Sequence, residues 1–253
     1  MNGAGDYGAR PVACDFPMPE LTVAVFNLHW GVDLHGRTFD AMTPALALDA
    51  DVLVLPEAWR PYGRPAFVDE LAARTGATVH EIAFMSDRSP NRPRHFEPPA
   101  GPPGTCGLAV LSRLPVVSFT NLVVPRTAND VIHQRFAVIA EVQLADRRVT
   151  VGGIHASHRI WGSLPQLQVL DRALAARGLP SIIAGDCNMW GPPIATVLRD
   201  RRRAVRGRTW PSWRPHSQID HIWIDDRFDV VDAAVGPDAG SDHRPVRARL
   251  RLR

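Results

Sequence analysis

The chain has 253 residues, of which 45% are hydrophobic and 22% are charged. These values are typical of a globular protein with a sizeable core, and no apolar run approaches the roughly 20 residues that cross a bilayer. The three cysteines are too few and too scattered for a disulfide framework or a zinc site. We expect a flexible N-terminal segment over 1–19, one domain over 20–253 and no membrane insertion. Because no signal-like apolar stretch follows Met1, we also expect a cytoplasmic location.

The positive charge is local. The formal net charge is +3, and all 29 basic residues are arginines. Residues 199–208 contain six arginines and one aspartate, and residues 244–253 contain five arginines and no acid. The remainder of the chain is therefore net negative, which excludes a protein that coats nucleic acid with its whole surface.

The first half of the chain predicts two buried strands and a helix. The strands are Leu21–Leu28 and Asp51–Leu55, which are rich in apolar and β-branched residues. Helical spacing of apolar residues predicts a helix over Arg64–Thr75, ended by Gly76. Ser86–Gly104 contains six prolines, and a loop of this length is usually functional, so it is a candidate lid.

The second half predicts more strands around an amphipathic helix. Cys106–Leu111 is a strand, and Phe136–Leu144 and Arg148–His155 form a hairpin. The helix covers Leu164–Arg177, with Pro165 in its first turn. The remaining predicted strands are Ser181–Ala184, Ile219–Ile224, Phe228–Val235 and Pro245–Leu252.

Polar residues with catalytic potential gather at the ends of these strands. Each alone has an ordinary interpretation as a surface acid, a turn residue or a core histidine. Together they predict a site, because strand ends present charge at the edge of a sheet while the core stays apolar. The residues are Asn27, Glu57, His155, Asp186, Asn188, Asp220, Asp242 and His243.

The segments that carry these residues follow one another in a characteristic order. They are FNLHW, LPEAW, GLAVLSRLP, GGIHASH, AGDCNMW, QIDHIW and GSDHRPV. In order and context the chain resembles the endonuclease/exonuclease/phosphatase superfamily over about 21–250. The resemblance implies an α/β fold of the DNase I type, a four-layered sandwich of two packed, mostly antiparallel β-sheets flanked by helices. It also implies a metal-dependent phosphoric ester hydrolase.

The resemblance implies a cation site. Mg²⁺ or Mn²⁺ bridges a carboxylate and the phosphate in such enzymes, and one or two carboxylates suffice to hold it. Glu57 is the expected principal ligand, supported by Asn27 and Asp242. His29 stands where some relatives carry an additional acid, which leaves one or two cations open. Pro56 stands where relatives often carry Gln.

The resemblance also implies catalytic roles. Asp186 is expected to orient or deprotonate the attacking water, and Asn188 to hold a phosphate oxygen. His243 is expected to contact the phosphate, with its ring fixed by Asp220. His155 is expected to be a second phosphate or leaving-group contact. Because relatives that repair abasic sites usually place Tyr there, this histidine disfavours abasic-site repair.

Several substrates remain open at this level. A nuclease or phosphodiesterase acting on DNA or RNA is favoured by basic and aromatic residues that could grip a backbone and stack a base. These residues lie between 199 and 214. The alternative interpretation of that segment is an exposed helix end followed by a loop whose tryptophans pack on the rest of the domain. Alternative substrates are a small phosphorylated metabolite, a nucleotide or a lipid headgroup, and a remote alternative is a catalytically inactive binding module. No obligate protein partner is evident. The expected substrate-binding residues are Arg199, Arg201, Arg208, Trp210 and Trp213.

Overall fold

A computed structural model describes residues 18–86 and 103–253. Most of the predicted flexible segment 1–19 and of the predicted loop Ser86–Gly104 lies outside these residues. The described strands are β1 (Glu20–Val25), β2 (Val52–Pro61), β3 (Thr78–Ser86), β4 (Gly104–Ser112), β5 (Val116–Val123), β6 (Phe136–Leu144), β7 (Arg147–His155), β8 (Ser181–Asp186), β9 (Arg202–Arg203), β10 (Asp220–Ile224), β11 (Phe228–Val235) and β12 (Val246–Leu252).

These strands form two six-stranded mixed sheets. The order in the first sheet is β11-β12-β1-β2-β4-β3, and in the second β5-β6-β7-β8-β10-β9. Among the described strands, β1 pairs with β2 and β7 with β8 in parallel, and the other pairings are antiparallel. The predicted fold of two packed, mostly antiparallel sheets is confirmed.

Alternation along each strand divides the apolar residues between two cores. On β1, Val23 and Val25 enter the core that the two sheets share, whereas Ala24 contacts the core under the helices. Two helices, α1 (Met42–Ala47) and α2 (Phe67–Thr75), cover the first sheet. The helices α3 (Ile160–Ala175) and α4 (Gly191–Ala195) cover the second sheet, which completes the four layers.

Two predicted helices begin at other residues than expected. The first was predicted from Arg64 but starts at Phe67, because Ala66 after Pro65 is extended. The second was predicted from Leu164 but starts at Ile160, so Pro165 lies inside α3 instead of in its first turn. Gly76 ends α2 in the left-handed conformation, as predicted.

Strand β2 is longer than predicted and contains a β-bulge. The sequence predicted a strand ending at Leu55, with Glu57 just after it, but β2 continues to Pro61. Its register with β4 shifts between Pro56 and Ala58, and Glu57 adopts a φ of +55°. A bulge changes the direction of one side chain, which no longer follows the alternation between the two faces of the sheet. Here it turns Glu57 toward the strand ends of the other sheet.

In the part of the chain that the structure describes, no helix combines the length and the apolar composition that crossing a membrane requires.

Candidate active site

Strand pairing sets three of the predicted site residues side by side. His155 ends β7 and is the register partner of Asp186 at the end of β8. Asp186 is in turn the partner of Asp220 at the start of β10. All three are buried. These three residues lie close together because of backbone register, so their proximity does not depend on a flexible loop.

Asn27 links the first sheet to this row. It follows β1, is buried, and donates from Nδ2 to Asp186 Oδ2 at 3.0 Å and to Glu57 Oε1 at 3.3 Å. Its Oδ1 accepts the backbone N–H of His29 at 3.0 Å. In this orientation Asn27 holds two acids together from opposite sheets and presents its nitrogen, not its oxygen, to them.

Asp186 lies at the centre of the cluster. Its Oδ2 lies 3.7 Å from His155 Nε2 and 3.9 Å from His243 Nε2. Its Oδ1 accepts the backbone N–H of Asn188 at 2.8 Å. Burial raises the pKa of Asp186 to about 7, although the neighbouring His243 lowers it. A carboxyl with a pKa near neutrality is suited to exchange protons with water.

His243 and Asp220 form a buried pair across the two sheets. His243 Nδ1 lies 2.8 Å from Asp220 Oδ2. Burial alone would lower the pKa of His243, but Asp220 and Asp186 outweigh it and raise the pKa well above its usual value. His243 is therefore an imidazolium whose ring orientation is fixed by one carboxylate.

His155 has the opposite charge state. Burial, aided by the charge of Arg135, lowers its pKa well below the usual value, so the ring is neutral. The cluster therefore contains one charged and one neutral histidine on either side of Asp186. These two rings can play different parts with a phosphate, because only one of them supplies positive charge.

Glu57 provides a test of whether the residues fit a cation. Its Oε2 is buried and makes no hydrogen bond within the described part of the chain, and burial raises its pKa. Glu57, His155 and Asp186 offer three ligand atoms that all lie within 4.8 Å of one another. Hard divalent cations take such oxygen-rich sets, so the donors fit Mg²⁺ or Mn²⁺.

Asp242 lies at the wall of the same cluster. Trp210 Nε1 donates to its Oδ2 at 3.2 Å, and its Oδ1 lies 3.9 Å from both His29 Nδ1 and His243 Nε2. The negative charge of Asp242 also raises the pKa of Glu57, after the larger effect of burial. Asp242 therefore lies at the same cleft as Glu57 and influences it electrostatically, but the ligand atoms within 4.8 Å of one another come from Glu57, His155 and Asp186.

Asn188 lies at the cleft with a φ of +48°, and its Nδ2 donates to the Ala156 carbonyl at 3.0 Å. One amide hydrogen is thus used within the protein, and among the described residues the second has no partner.

The cluster opens into a cleft of about 590 Å³. Trp210 lines it, whereas Trp213 is exposed and borders a neighbouring depression. Arg199 and Arg201 line a different cavity, and Arg201 contacts Ser181.

Ser181 begins β8, the strand that Asp186 ends, so these two arginines lie at the opposite end of the sheet. Arg208 is exposed and does not line the cleft. The structure does not bring the predicted basic residues to the cluster.

Sequence reasoning missed several residues that line the cleft. His29 was noted only as a departure from the family pattern, and Trp30, His158, Ile160 and Trp190 were not predicted as site residues. Trp30, His158 and Trp190 end the segments FNLHW, GGIHASH and AGDCNMW, and that position is the signal that could have indicated them.

Arg135, a residue that the motifs did not indicate, contacts the backbone of His155. Its guanidinium is 3% exposed, pairs with the equally buried Asp130 at 2.8 Å, and donates to the His155 carbonyl at 3.2 Å. Burial would raise the pKa of Asp130, but Arg135 lowers it to about 2. The pair thus fixes the end of β7.

Removing Arg135 is expected to destabilise the fold. Arg135→Ala leaves the buried Asp130 carboxylate without its arginine, with the His158 ring at 3.5 Å and the Ile132 backbone N–H still in contact, and is expected to cost about 3–5 kcal/mol in unfolding free energy. Urea unfolding measures this. The control is Arg148→Ala, which breaks the exposed pair with Glu141 and should cost no more than about 1 kcal/mol. Equal losses for the two variants would show that the buried pair has no special structural role.

A model of the Endonuclease/Exonuclease/phosphatase family matches residues 25–243. The chain belongs to this family. Family members hydrolyse phosphoric esters, and the chain is accordingly a phosphoric ester hydrolase. None of the curated proteins searched matches it.

Solved structures show the same fold. An endonuclease/exonuclease/phosphatase from Beutenbergia cavernae is 23% identical, with 92% of this chain and 72% of the other covered and a TM-score of 0.71. The human Nocturnin catalytic domain is 17% identical, with 93% and 96% covered and a TM-score of 0.68. A mannosyl-6-phosphatase from Bacteroides thetaiotaomicron is 15% identical, with 92% and 100% covered and a TM-score of 0.66. Proteins that are named for different activities share this fold, so the fold alone does not determine the substrate.

Proposed function

We propose that this chain hydrolyses small phosphate esters with the help of Mg²⁺ or Mn²⁺. The observation that supports it best is the convergence of Glu57, Asp186 and His243, from both sheets, at one cleft. Glu57 would be the principal ligand of the cation, beside the ligand atoms of His155 and Asp186. Asp242 would support it directly or through water, and Asn27 could join only with its amide turned round. The cation would neutralise phosphate charge and stabilise the charge that develops in the transition state.

Asp186 is the proposed base. Its carboxylate faces the cleft, is held by the Asn27 amide and the Asn188 backbone N–H, and has a pKa of about 7. It can therefore accept a proton from a water molecule aligned with the phosphorus atom. His243, as an imidazolium, donates from Nε2 to a phosphate oxygen while Nδ1 donates to Asp220. Neutral His155 supplies a second hydrogen-bonding contact.

The prediction of a nucleic-acid substrate rested on three arginines and two tryptophans, and of these only Trp210 lines the cleft. Arg199 and Arg201 lie at the far end of β8, and Arg208 does not line the cleft. A small ester therefore suits the cleft better than a long DNA or RNA strand. The cytoplasmic location stays a prediction.

Hydrolysis assays test the proposed function. The panel contains bis-p-nitrophenyl phosphate, plasmid DNA, RNA and phosphomonoesters, each with Mg²⁺ or Mn²⁺ and with EDTA. We expect hydrolysis of a small ester that EDTA abolishes and added cation restores. Hydrolysis that is indifferent to EDTA, or none on any substrate, would contradict the proposal.

Cation binding is expected to stabilise the chain through Glu57. Mg²⁺ or Mn²⁺ at 100 times its Kd should raise the unfolding free energy by roughly 2.7 kcal/mol, visible as an increase in Tm. Glu57→Gln should lose most of this increase, whereas Glu70→Gln, an exposed control, should keep it. An unchanged increase in Glu57→Gln would place the cation elsewhere.

A further inference from the structure

Two aromatic pairs flank Asp242 at the cleft. On one side the rings of His29 and Trp30 stack with centroids 4.9 Å apart and an interplanar angle of 28°. On the other side Trp210 and His216 make an edge contact at 5.3 Å and 85°. The first pair borders Asp242 through His29 Nδ1 at 3.9 Å, and the second binds it through Trp210 Nε1 at 3.2 Å. All four rings line the cleft, so both pairs form walls beside the cluster of acids and histidines.

Further apolar surface continues from these walls. Trp190 lines the cleft yet is 52% exposed, which leaves much of its large aromatic surface uncovered. Ile160, Met189 and Ile219 also line the cleft. Exposed aromatic surface in a concave site with a few polar groups at its base is typical of ligand recognition.

The charge of the cleft disfavours a polyanion. Its lining includes the acids Glu57, Asp186 and Asp242, and among the residues that the structure describes no arginine lines it. The chain contains no lysine. A nucleic-acid strand needs cations along its backbone for each flanking phosphate. The described part of the cleft could therefore meet one phosphate with His243 and a cation held there, but it contributes no row of basic residues for several phosphates.

We propose that the cleft takes a single phosphate ester whose organic part carries one flat, uncharged ring of the nucleobase type. The ring lies against Trp190 and between the walls of Trp30 and Trp210, and the phosphate meets Asp186 and His243. This inference rests on the proposed function and names its substrate class. A volume of about 590 Å³ lies within the range of pockets that bury most of a small organic ligand. Stacking on aromatic side chains suits every base, since each has a π-face.

We test this inference with pairs of substrates in which only one member carries the ring. The monoester pair is adenosine 5′-monophosphate and ribose 5-phosphate, which share the leaving alcohol. The diester pair is a dinucleotide and its analogue in which a tetrahydrofuran unit without a base replaces each nucleoside. With Mg²⁺ or Mn²⁺ present, kcat/KM should be about tenfold to a hundredfold higher for the ring-bearing member of whichever pair is hydrolysed. Phosphate release or product chromatography measures the rates.

A variant of the proposed wall sharpens the test. Trp190→Leu should bring the ratio of the two kcat/KM values toward one, and Trp190→Phe should restore most of it. Trp161→Leu is the matched control, because Trp161 is 63% exposed but does not line the cleft. It should keep both the ratio and the rates of the unmodified chain.

The outcomes separate the inference from the proposed function. Equal kcat/KM for ring-bearing and ring-free esters, or faster hydrolysis of alkyl or choline phosphate esters, would overturn the inference and leave the hydrolase intact. Plasmid cleavage that outpaces the dinucleotide and falls steeply with salt would overturn the single-ester substrate. If no ester were hydrolysed with either cation, the proposed function would fail, and the inference with it.

Discussion

Replacing Asp186 with asparagine is expected to lower kcat by about 10²- to 10⁴-fold, the range that a positioned general base contributes. The amide keeps the size of the side chain and can still accept the Asn188 backbone N–H, which is bonded to Oδ1 at 2.8 Å. It cannot accept a proton from water at neutral pH. Steady-state hydrolysis of the best small ester found, at saturating cation, measures the loss.

Two controls make this result interpretable. Urea unfolding of Asp186→Asn should show a cooperative transition, so that the loss of rate is not a loss of fold. Asp232→Asn changes the same chemical group at an exposed position on β11 and should retain full activity. If Asp186→Asn kept a kcat within threefold of the unmodified chain, Asp186 would not be the base.

Replacing His243 with alanine is expected to lower kcat/KM by about 10²- to 10³-fold. The variant loses a charged donor from a buried position, and removing one such donor to a developing oxyanion has an effect of this size. In the proposed mechanism Asp220 acts through the His243 ring, to which it is bonded at 2.8 Å. Asp220→Asn should therefore lower kcat/KM as well, by a smaller factor.

A double-mutant cycle tests this dependence. If Asp220 works through His243, adding Asp220→Asn to His243→Ala should cause little further loss. Two losses that multiply would show that Asp220 has an independent catalytic role. His35→Ala, an exposed histidine of the described chain, is the control for removal of an imidazole and should leave kcat/KM unchanged.

Much of the fold follows from local sequence pattern. Phe228–Val235 was predicted with its observed bounds, and the hairpin of β6 and β7 within one residue, because apolar alternation and a short turn specify them. Thr78–Ser86 and Val116–Val123 were not predicted. Both are half-exposed strands with few fully buried residues, so their apolar pattern is weak.

The site shows a similar division. Motif order indicated Asp186, Asp220 and His243. Backbone register pairs Asp186 with Asp220, and the packing of the two sheets brings His243 beside them. The orientation of Glu57 could not be predicted, because it depends on a bulge that is defined only when β2 pairs with β4. Arg201 was predicted near the site because its segment lies between Asn188 and Asp220 in the chain. However, β9 pairs with the end of β10 remote from Asp220, so the chain carries Arg201 away from it.

The most direct test of the central claim is anomalous diffraction from crystals soaked in Mn²⁺. We expect an anomalous peak in the cleft, within about 2.0–2.6 Å of a Glu57 carboxylate oxygen, and the loss of that peak in Glu57→Gln. The account would be contradicted if the chain hydrolysed phosphate esters with Mn²⁺ but its crystals showed ordered Mn²⁺ only outside this cleft.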